Sequence, residues 1–190
     1  MAHLLGAEQL RLSFPNRIVL DGVSLGLSDG DRVGVVGRNG DGKSSLLRLL
    51  AGRSEPDSGR VTTRGGVTVA MLDQTDSLVA EHTVGYSIVG DAPEHEWASD
   101  PRIRDVMAGL VADVPWDQRI DALSGGQRRR TALAALLVGD HDVMLLDEPT
   151  NHLDVEGVTW LARHLRARYA GGQGAFAVVT HDRWFLDEVT

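Results

Sequence analysis

Apolar residues alternate with polar ones over the first 28 positions: Leu10, Leu12 and Phe14, then Ile18, Leu20, Val23, Leu25 and Leu27. A period of two predicts short antiparallel strands, with turns signalled at Pro15-Asn16 and Asp21-Gly22. Ser28-Asp29-Gly30-Asp31 reads as a turn, and residues 32–36 form a short β-branched run that predicts a buried strand. Leucines at 46, 47, 49 and 50 suit a helix over 44–51, closed by Gly52. Residues 59–72 predict a second hairpin, turning at Arg64-Gly65-Gly66.

The pattern then changes. Between residues 80 and 121 nine acidic side chains face three arginines, and Ile103, Val106, Met107, Leu110 and Val111 recur at helical spacing. This stretch reads as a mostly helical subdomain. Residues 126–138 predict an amphipathic helix with Arg128, Arg129 and Arg130 in its first turns, most simply a solvated face, though one able to contact RNA or another domain. Residues 143–146 and 175–179 are apolar strands on either side of a helix over 155–169 and a loop at 170–174. Strands alternating with helices place the chain in the α/β class, with a mostly parallel sheet covered on both faces.

Composition narrows the classes. At 42% hydrophobic and 24% charged residues the chain has enough apolar material for one sizeable core. It has no cysteine, which excludes disulfides, thiolate metal sites and cysteine nucleophiles. A net charge of −8 argues against a nucleic-acid surface made of the whole domain, though not against a local basic patch. No apolar run approaches the roughly 18 residues that span a bilayer, and the first ten residues lack the form of a signal peptide. The expectation is a cytoplasmic domain with no membrane insertion. Eighteen of the nineteen basic residues are arginine; the one lysine, Lys43, lies in a glycine-rich stretch.

That stretch carries chemistry. Gly37-Arg38-Asn39-Gly40-Asp41-Gly42-Lys43-Ser44 fits GxxxxGK[ST], after a predicted strand and before a predicted helix. Glycines allow positive φ and let backbone N–H groups curl round a phosphate, and the helix N-terminus adds partial positive charge. Lys43 would bridge the terminal phosphates and Ser44 would ligate Mg²⁺. Strand 143–146 runs into Asp147-Glu148, where residues past a parallel strand face the ligand crevice. There Asp147 could hold Mg²⁺ and Glu148 could take the proton of an attacking water, although paired acids also occur as solvated turns. Leu123-Ser124-Gly125-Gly126-Gln127 offers a cap and two glycines open to an anion. In isolation it is no more than a helix start.

Taken in order, GRNGDGKS, LSGGQ and VMLLDE resemble the nucleotide-binding domain of ATP-binding-cassette proteins, a P-loop NTPase with a RecA-like core, an antiparallel β subdomain and a helical subdomain. The resemblance implies one cassette over 1–190. Residues 1–79 and 138–190 would be the nucleotide-binding core, and 80–137 the helical subdomain bearing LSGGQ. It implies ATP and Mg²⁺ as ligands, held by Gly37, Asn39, Gly40, Gly42, Lys43, Ser44 and Ser45, with Phe14 stacked on adenine. Ser44, Gln74 and Asp147 fall at the metal positions. Glu148, His181 and Gln74 fall at the catalytic ones, and Ser124 and Gly126 where one cassette closes over the γ-phosphate held by another. His152 reads as loop structure rather than as a metal ligand, and Phe14 and Gln74 also have plain readings as core and strand-end residues.

LDEPTNHLD at 146–154 and THDRWFLD at 180–187 resemble the ABC-F branch, whose members carry two cassettes in one chain and act on the ribosome. The resemblance implies hydrolysis of ATP by a head-to-tail pair, the partner being a second cassette in the full chain or a second copy. The ribosome or its RNA would be a further partner. One cassette ending at Thr190 is expected to be the N-terminal piece of a longer chain, and the short acidic 80–121 interval is closer to members with short arms. The alternatives are the ATP-binding subunit of a membrane transporter and a module that holds nucleotide without hydrolysing it.

Overall fold

The computed structural model describes residues 2–15 and 17–190. In chain order the strands are β1 (His3–Phe14), β2 (Arg17–Ser28), β3 (Arg32–Val35), β4 (Ser58–Thr63), β5 (Val69–Leu72), β6 (Val143–Asp147) and β7 (Ala175–Val179). The helices are α1 (Lys43–Leu50), α2 (Val84–Val89), α3 (Glu94–Trp97), α4 (Pro101–Leu110), α5 (Gly125–Val138), α6 (Val155–Arg168) and α7 (Arg183–Val189). The chain divides into two compact units. One holds residues 1–73, 141–149 and 164–190; the other holds 74–140 and 150–163. Residues 150–163, placed with the core on sequence grounds, thus pack with the second unit.

The first unit contains both sheets. An antiparallel sheet runs β2-β1-β4 and a parallel sheet runs β3-β7-β6-β5. All ten residues of β6 and β7 are buried, as central parallel strands require. Helix α1 presents Leu46, Leu47, Leu49 and Leu50 to a core that it shares with Leu5 and Leu10 of β1 and with Val143, Leu145 and Ala177 of the parallel sheet. At about 1.5–3 kcal/mol per buried leucine, this helix is fixed by packing rather than by propensity. A Schellman closure ends it: Arg53 N–H bonds Arg48 O and Gly52 N–H bonds Leu49 O.

Two expected turns differ. Residues 59–72 are not a hairpin, because β4 pairs antiparallel with β1 while β5 pairs parallel with β6. The turn is present, with Val67 N–H on Arg64 O, but it hands the chain from one sheet to the other. Local glycines announce a reversal and say nothing of which strand will be the neighbour. Asp21-Gly22 does not break β2 either. The register moves from Leu10↔Val23 to Leu12↔Leu20, so the pair is a bulge, with Gly22 at φ 71°. The expected turn at Pro15-Asn16 lies partly outside the described residues.

In the second unit α4 starts at Pro101, capped by the Asp100 carboxylate on Arg102 N–H, and buries Val106 and Leu110. Trp160 lies against Gly109, where a Cβ would stand 2.3 Å from the indole, and Trp116 lies against Gly85 in the same way at 2.4 Å. Helix α5 lacks the clean polar face expected of it: Arg129 and Thr131 are buried together with Leu133, Ala134, Leu136 and Leu137. Its three arginines are not a solvated face. Arg128 forks onto Asp76 (2.8 and 2.9 Å), Arg130 onto Asp113 (2.6 and 2.7 Å), and Arg129 is only 8% exposed. Acids in the 74–121 stretch capture two of the three, which helical periodicity cannot reveal.

Candidate functional site

Strand β3 opens into the glycine loop and α1 closes it. Gly40 (φ 85°) and Gly42 (φ 89°) occupy the left-handed region, and a Cβ on Gly42 would also strike Val19 Cγ1 at 2.3 Å. Asp41 braces the loop, its carboxylate accepting Arg38 N–H at 2.7 Å while its own N–H bonds Arg38 O at 3.2 Å. Lys43 donates to Gly37 O and Arg38 O, both at 2.9 Å. Gly42 is the N-cap of α1, in the left-handed region and without a side-chain cap bond. Residues 37–41 are exposed, Asn39 among them, and Ser44 and Ser45 are half-buried in the first turn of α1.

The neighbouring parallel strands deliver the acids and the histidine. Asp147 ends β6 opposite Val179 of β7, and it is wholly buried. Its charge reaches Arg48 on α1, whose pKa is raised chiefly by its hydrogen bonds to Asp73 and further by Asp147. Glu148 follows at φ 50°, held there by its N–H on Val179 O at 2.8 Å. A glutamate with positive φ is costly backbone, and such positions cluster at functional sites. Its carboxylate lies 3.3 Å from His181 Nε2 and is 12% exposed, whereas the histidine is 56% exposed. His181 is set by the start of α7, where Asp182 accepts Phe185 N–H.

Phe14 is not core. It is 57% exposed at the end of β1, paired across the strands with Arg17, whose guanidinium reaches Gly40 and Asp41. The first unit therefore gathers an exposed aromatic, the glycine loop, Lys43, Asp147, Glu148 and His181.

The other expected residues belong to the second unit. Gln74 opens it, two positions past the end of β5, and is exposed. Ser124 caps α5 in a capping box, its Oγ accepting Gln127 N–H while Gln127 Oε1 accepts Ser124 N–H. Among the described residues nothing lies within 4 Å of a Cβ built on Gly125, and the nearest atoms to one on Gly126 belong to His152, at 3.7 Å. An open groove of about 940 Å³ includes Ser124, Gly126, Arg130, His152, Asp154 and Trp160. His152 sits at φ 67° in the turn before α6, and Asp154 accepts Gly157 N–H, so this segment is ordered by its own bonds.

These groups suit a polyphosphate and its cation. The loop offers left-handed glycines that leave room for an anion, a helix start without a side-chain cap and one ammonium, and the buried Asp147 is an oxygen donor of the kind Mg²⁺ selects. The Arg17–Asp41 pair escaped the sequence reading. The signal for it was a carboxylate placed inside an anion-binding loop, a charge that some cation has to answer.

Comparison with known proteins agrees with this geometry. Residues 20–151 match the model of the ABC transporter family. The chain is 36% identical over 219 residues to the energy-dependent translational throttle protein EttA of Mycobacterium tuberculosis, covering 96% of this chain and 38% of that protein. It is likewise 36% identical to the tylosin resistance ATP-binding protein TlrC of Streptomyces fradiae, over 93% of this chain and 39% of that one. Among solved structures an archaeal ribosome recycling factor, in complex with a ribosomal stalk protein, superposes with a TM-score of 0.85 at 28% identity, over 99% of this chain and 36% of that one. The chain spans about two fifths of the length of the relatives it matches. With a glycine loop, an acid pair at a central strand end and a family match over more than half its length, the chain belongs to the ABC transporter family.

Proposed function

We propose that this cassette binds ATP with Mg²⁺ and hydrolyses it as one half of a head-to-tail pair, within a protein that acts on the ribosome in the cytoplasm. The observation that carries the chemistry is the juxtaposition of Glu148 and His181 beside the strand that leads into the glycine loop. In this reading the loop N–H groups and Lys43 hold the β- and γ-phosphates and Phe14 stacks on the base. Ser44 and Asp147 would hold the cation, with Gln74 as a third candidate ligand, and the cation would neutralise charge on the terminal phosphates. Glu148 orients a water and takes its proton as oxygen attacks the γ-phosphorus; the bond to the β-phosphate oxygen breaks, and ADP and inorganic phosphate leave. His181, 3.3 Å from Glu148, steadies that carboxylate and faces the γ-phosphate.

The glycine loop covers one side of a triphosphate. Ser124 and Gly126 of a second cassette would cover the other, so ATP would favour the closed pair only by binding it better than the open one. The ribosomal assignment is supported by the names of the relatives: a translational throttle, an antibiotic-resistance ATP-binding protein and a ribosome recycling factor. Among the described residues no helix is long and apolar enough to cross a membrane.

The test is Glu148→Gln. It is expected to keep ATP affinity within about threefold, to lower turnover at least about 100-fold, and to shift the protein toward a pair on a sizing column with ATP and Mg²⁺. Unchanged turnover would remove Glu148 from the reaction.

A further inference from the structure

The phosphate loop contains a carboxylate of its own. Asp41 stands between Gly40 and Gly42, where the reading above brings in a polyanion, and an uncompensated charge there would repel it. Its Oδ2 accepts Arg38 N–H at 2.7 Å, a bond that leaves the charge in place. Its Oδ1 faces the Arg17 guanidinium, with Nη2 3.6 Å away. The same guanidinium lies over the loop, since a Cβ on Gly40 would stand 3.1 Å from Arg17 Nη1. Arg17 arrives there from β2, as the cross-strand partner of Phe14. The loop carries two cations of its own, Arg38 and Lys43, and Lys43 is turned to Gly37 O and Arg38 O.

We propose that Arg17 is a nucleotide-positioning residue that neutralises Asp41 and thereby allows the loop to accept a nucleoside triphosphate. It acts through Asp41, and the inference rests on the nucleotide reading above. Both side chains are about half exposed (58% and 44%), so the effect is moderate and screened by salt. Two unit charges at 4 Å in water interact by about fivefold in an equilibrium constant, and a triphosphate carries several charges at greater distances. Uncovering Asp41 should therefore weaken ATP binding about tenfold at low salt, and less than about threefold near 0.5 M salt.

The experiment titrates ATP with Mg²⁺ calorimetrically into the parent, Arg17→Ala, Arg17→Lys, Asp41→Asn and the Arg17→Ala/Asp41→Asn double variant, after thermal melts establish that each is folded. The Asp41→Asn change keeps an acceptor for Arg38 N–H and removes only the charge. Arg17→Ala is expected to bind about tenfold more weakly, Arg17→Lys within about threefold of the parent, and the double variant within about twofold of Asp41→Asn. If Arg17→Ala binds like the parent, or if the double variant stays as weak as Arg17→Ala, Arg17 does not act through Asp41 and the proposal fails. Lys43→Ala separates the two levels. A parent that binds ATP and loses it on Lys43→Ala keeps the nucleotide reading whatever Arg17 does, whereas a parent that does not bind ATP overturns both.

Discussion

Gly42 and Gly52 flank the same helix, and the structure assigns them unequal penalties for gaining a methyl group. Both have positive φ, 89° and 66°. Gly52 has nothing within 4 Å of an added Cβ, so Gly52→Ala meets only the left-handed backbone cost, about 1–2 kcal/mol. At Gly42 the methyl would sit 2.3 Å from Val19 Cγ1 and 3.1 Å from Val19 O, which adds an overpacking cost of about 1–3 kcal/mol. Gly42→Ala should thus destabilise by about 2–5 kcal/mol. For a chain of this size that lowers the melting temperature by about 4–20 °C, against about 2–8 °C for Gly52→Ala. Adding Val19→Ala removes the obstructing methyl and should narrow the gap between the two variants. Thermal melts with urea titrations measure all three proteins. If Gly42→Ala proved no less stable than Gly52→Ala, the close approach of β2 to the loop would be wrong, and with it the placement of Phe14 and Arg17 over the phosphate loop.

Other outcomes follow from single contacts. Lys43 is the only lysine, so acylation of side-chain amines reports one residue; ATP should slow its modification several-fold by mass spectrometry, and equal rates with and without ATP would place the ammonium away from the ligand. Gly109→Ala should destabilise the second unit by about 1–3 kcal/mol through the Trp160 ring, seen as a shift in tryptophan fluorescence on unfolding. Asp142 accepts Thr68 N–H and Oγ–H, which hold its carboxyl below the ordinary carboxylate range. Because the folded pKa is the lower one, this stabilisation is complete above about pH 4, the unfolded value, and is lost as pH falls through the folded value. Screening keeps it below about 1 kcal/mol, so Asp142→Asn should differ slightly from the parent in urea midpoint at pH 7 and not at all in strong acid.

What the sequence disclosed and what it withheld divide along physical lines. The loop at 37–44, the strand before Asp147 and the helix after Ser124 were legible because each is a local pattern: glycines at fixed offsets, an unbroken apolar run, a cap three residues before Gln127. Strand partners were not. Arg64-Gly65-Gly66 marks a reversal, yet β4 and β5 are assigned to different sheets by which surfaces they bury, a property of residues far away in sequence. The arginines of α5 were misread for a related reason. A charged triplet in a helix is ordinarily solvated, and only the acids at 76 and 113, delivered by other segments, turn two of them inward. Phe14 shows the converse. Alternation with Leu10 and Leu12 also allowed a core reading beside the stacking one, and the side chain is 57% exposed at the end of β1.

The loop's own bonds bear on how it can bind an anion. A chain of five residues with two left-handed glycines has many conformations, and ordering it at the moment of binding would cost on the order of 1 kcal/mol per residue. Here Asp41 ties Arg38 from one side and Lys43 ties Gly37 and Arg38 from the other, so bonds within the loop itself hold its curl. Preorganisation of that kind raises affinity by removing a cost rather than by adding a contact. It also explains why a carboxylate is tolerated in the loop: Asp41 is worth keeping for the backbone N–H that it fixes, provided that its charge is answered from β2. A loop variant in which asparagine replaces Asp41 should then keep its shape and lose its dependence on Arg17, whereas alanine, which cannot accept Arg38 N–H, should loosen the loop and bind ATP less tightly than asparagine by about two- to tenfold. Equal affinities for the two replacements would show that the hydrogen bond does not hold the loop.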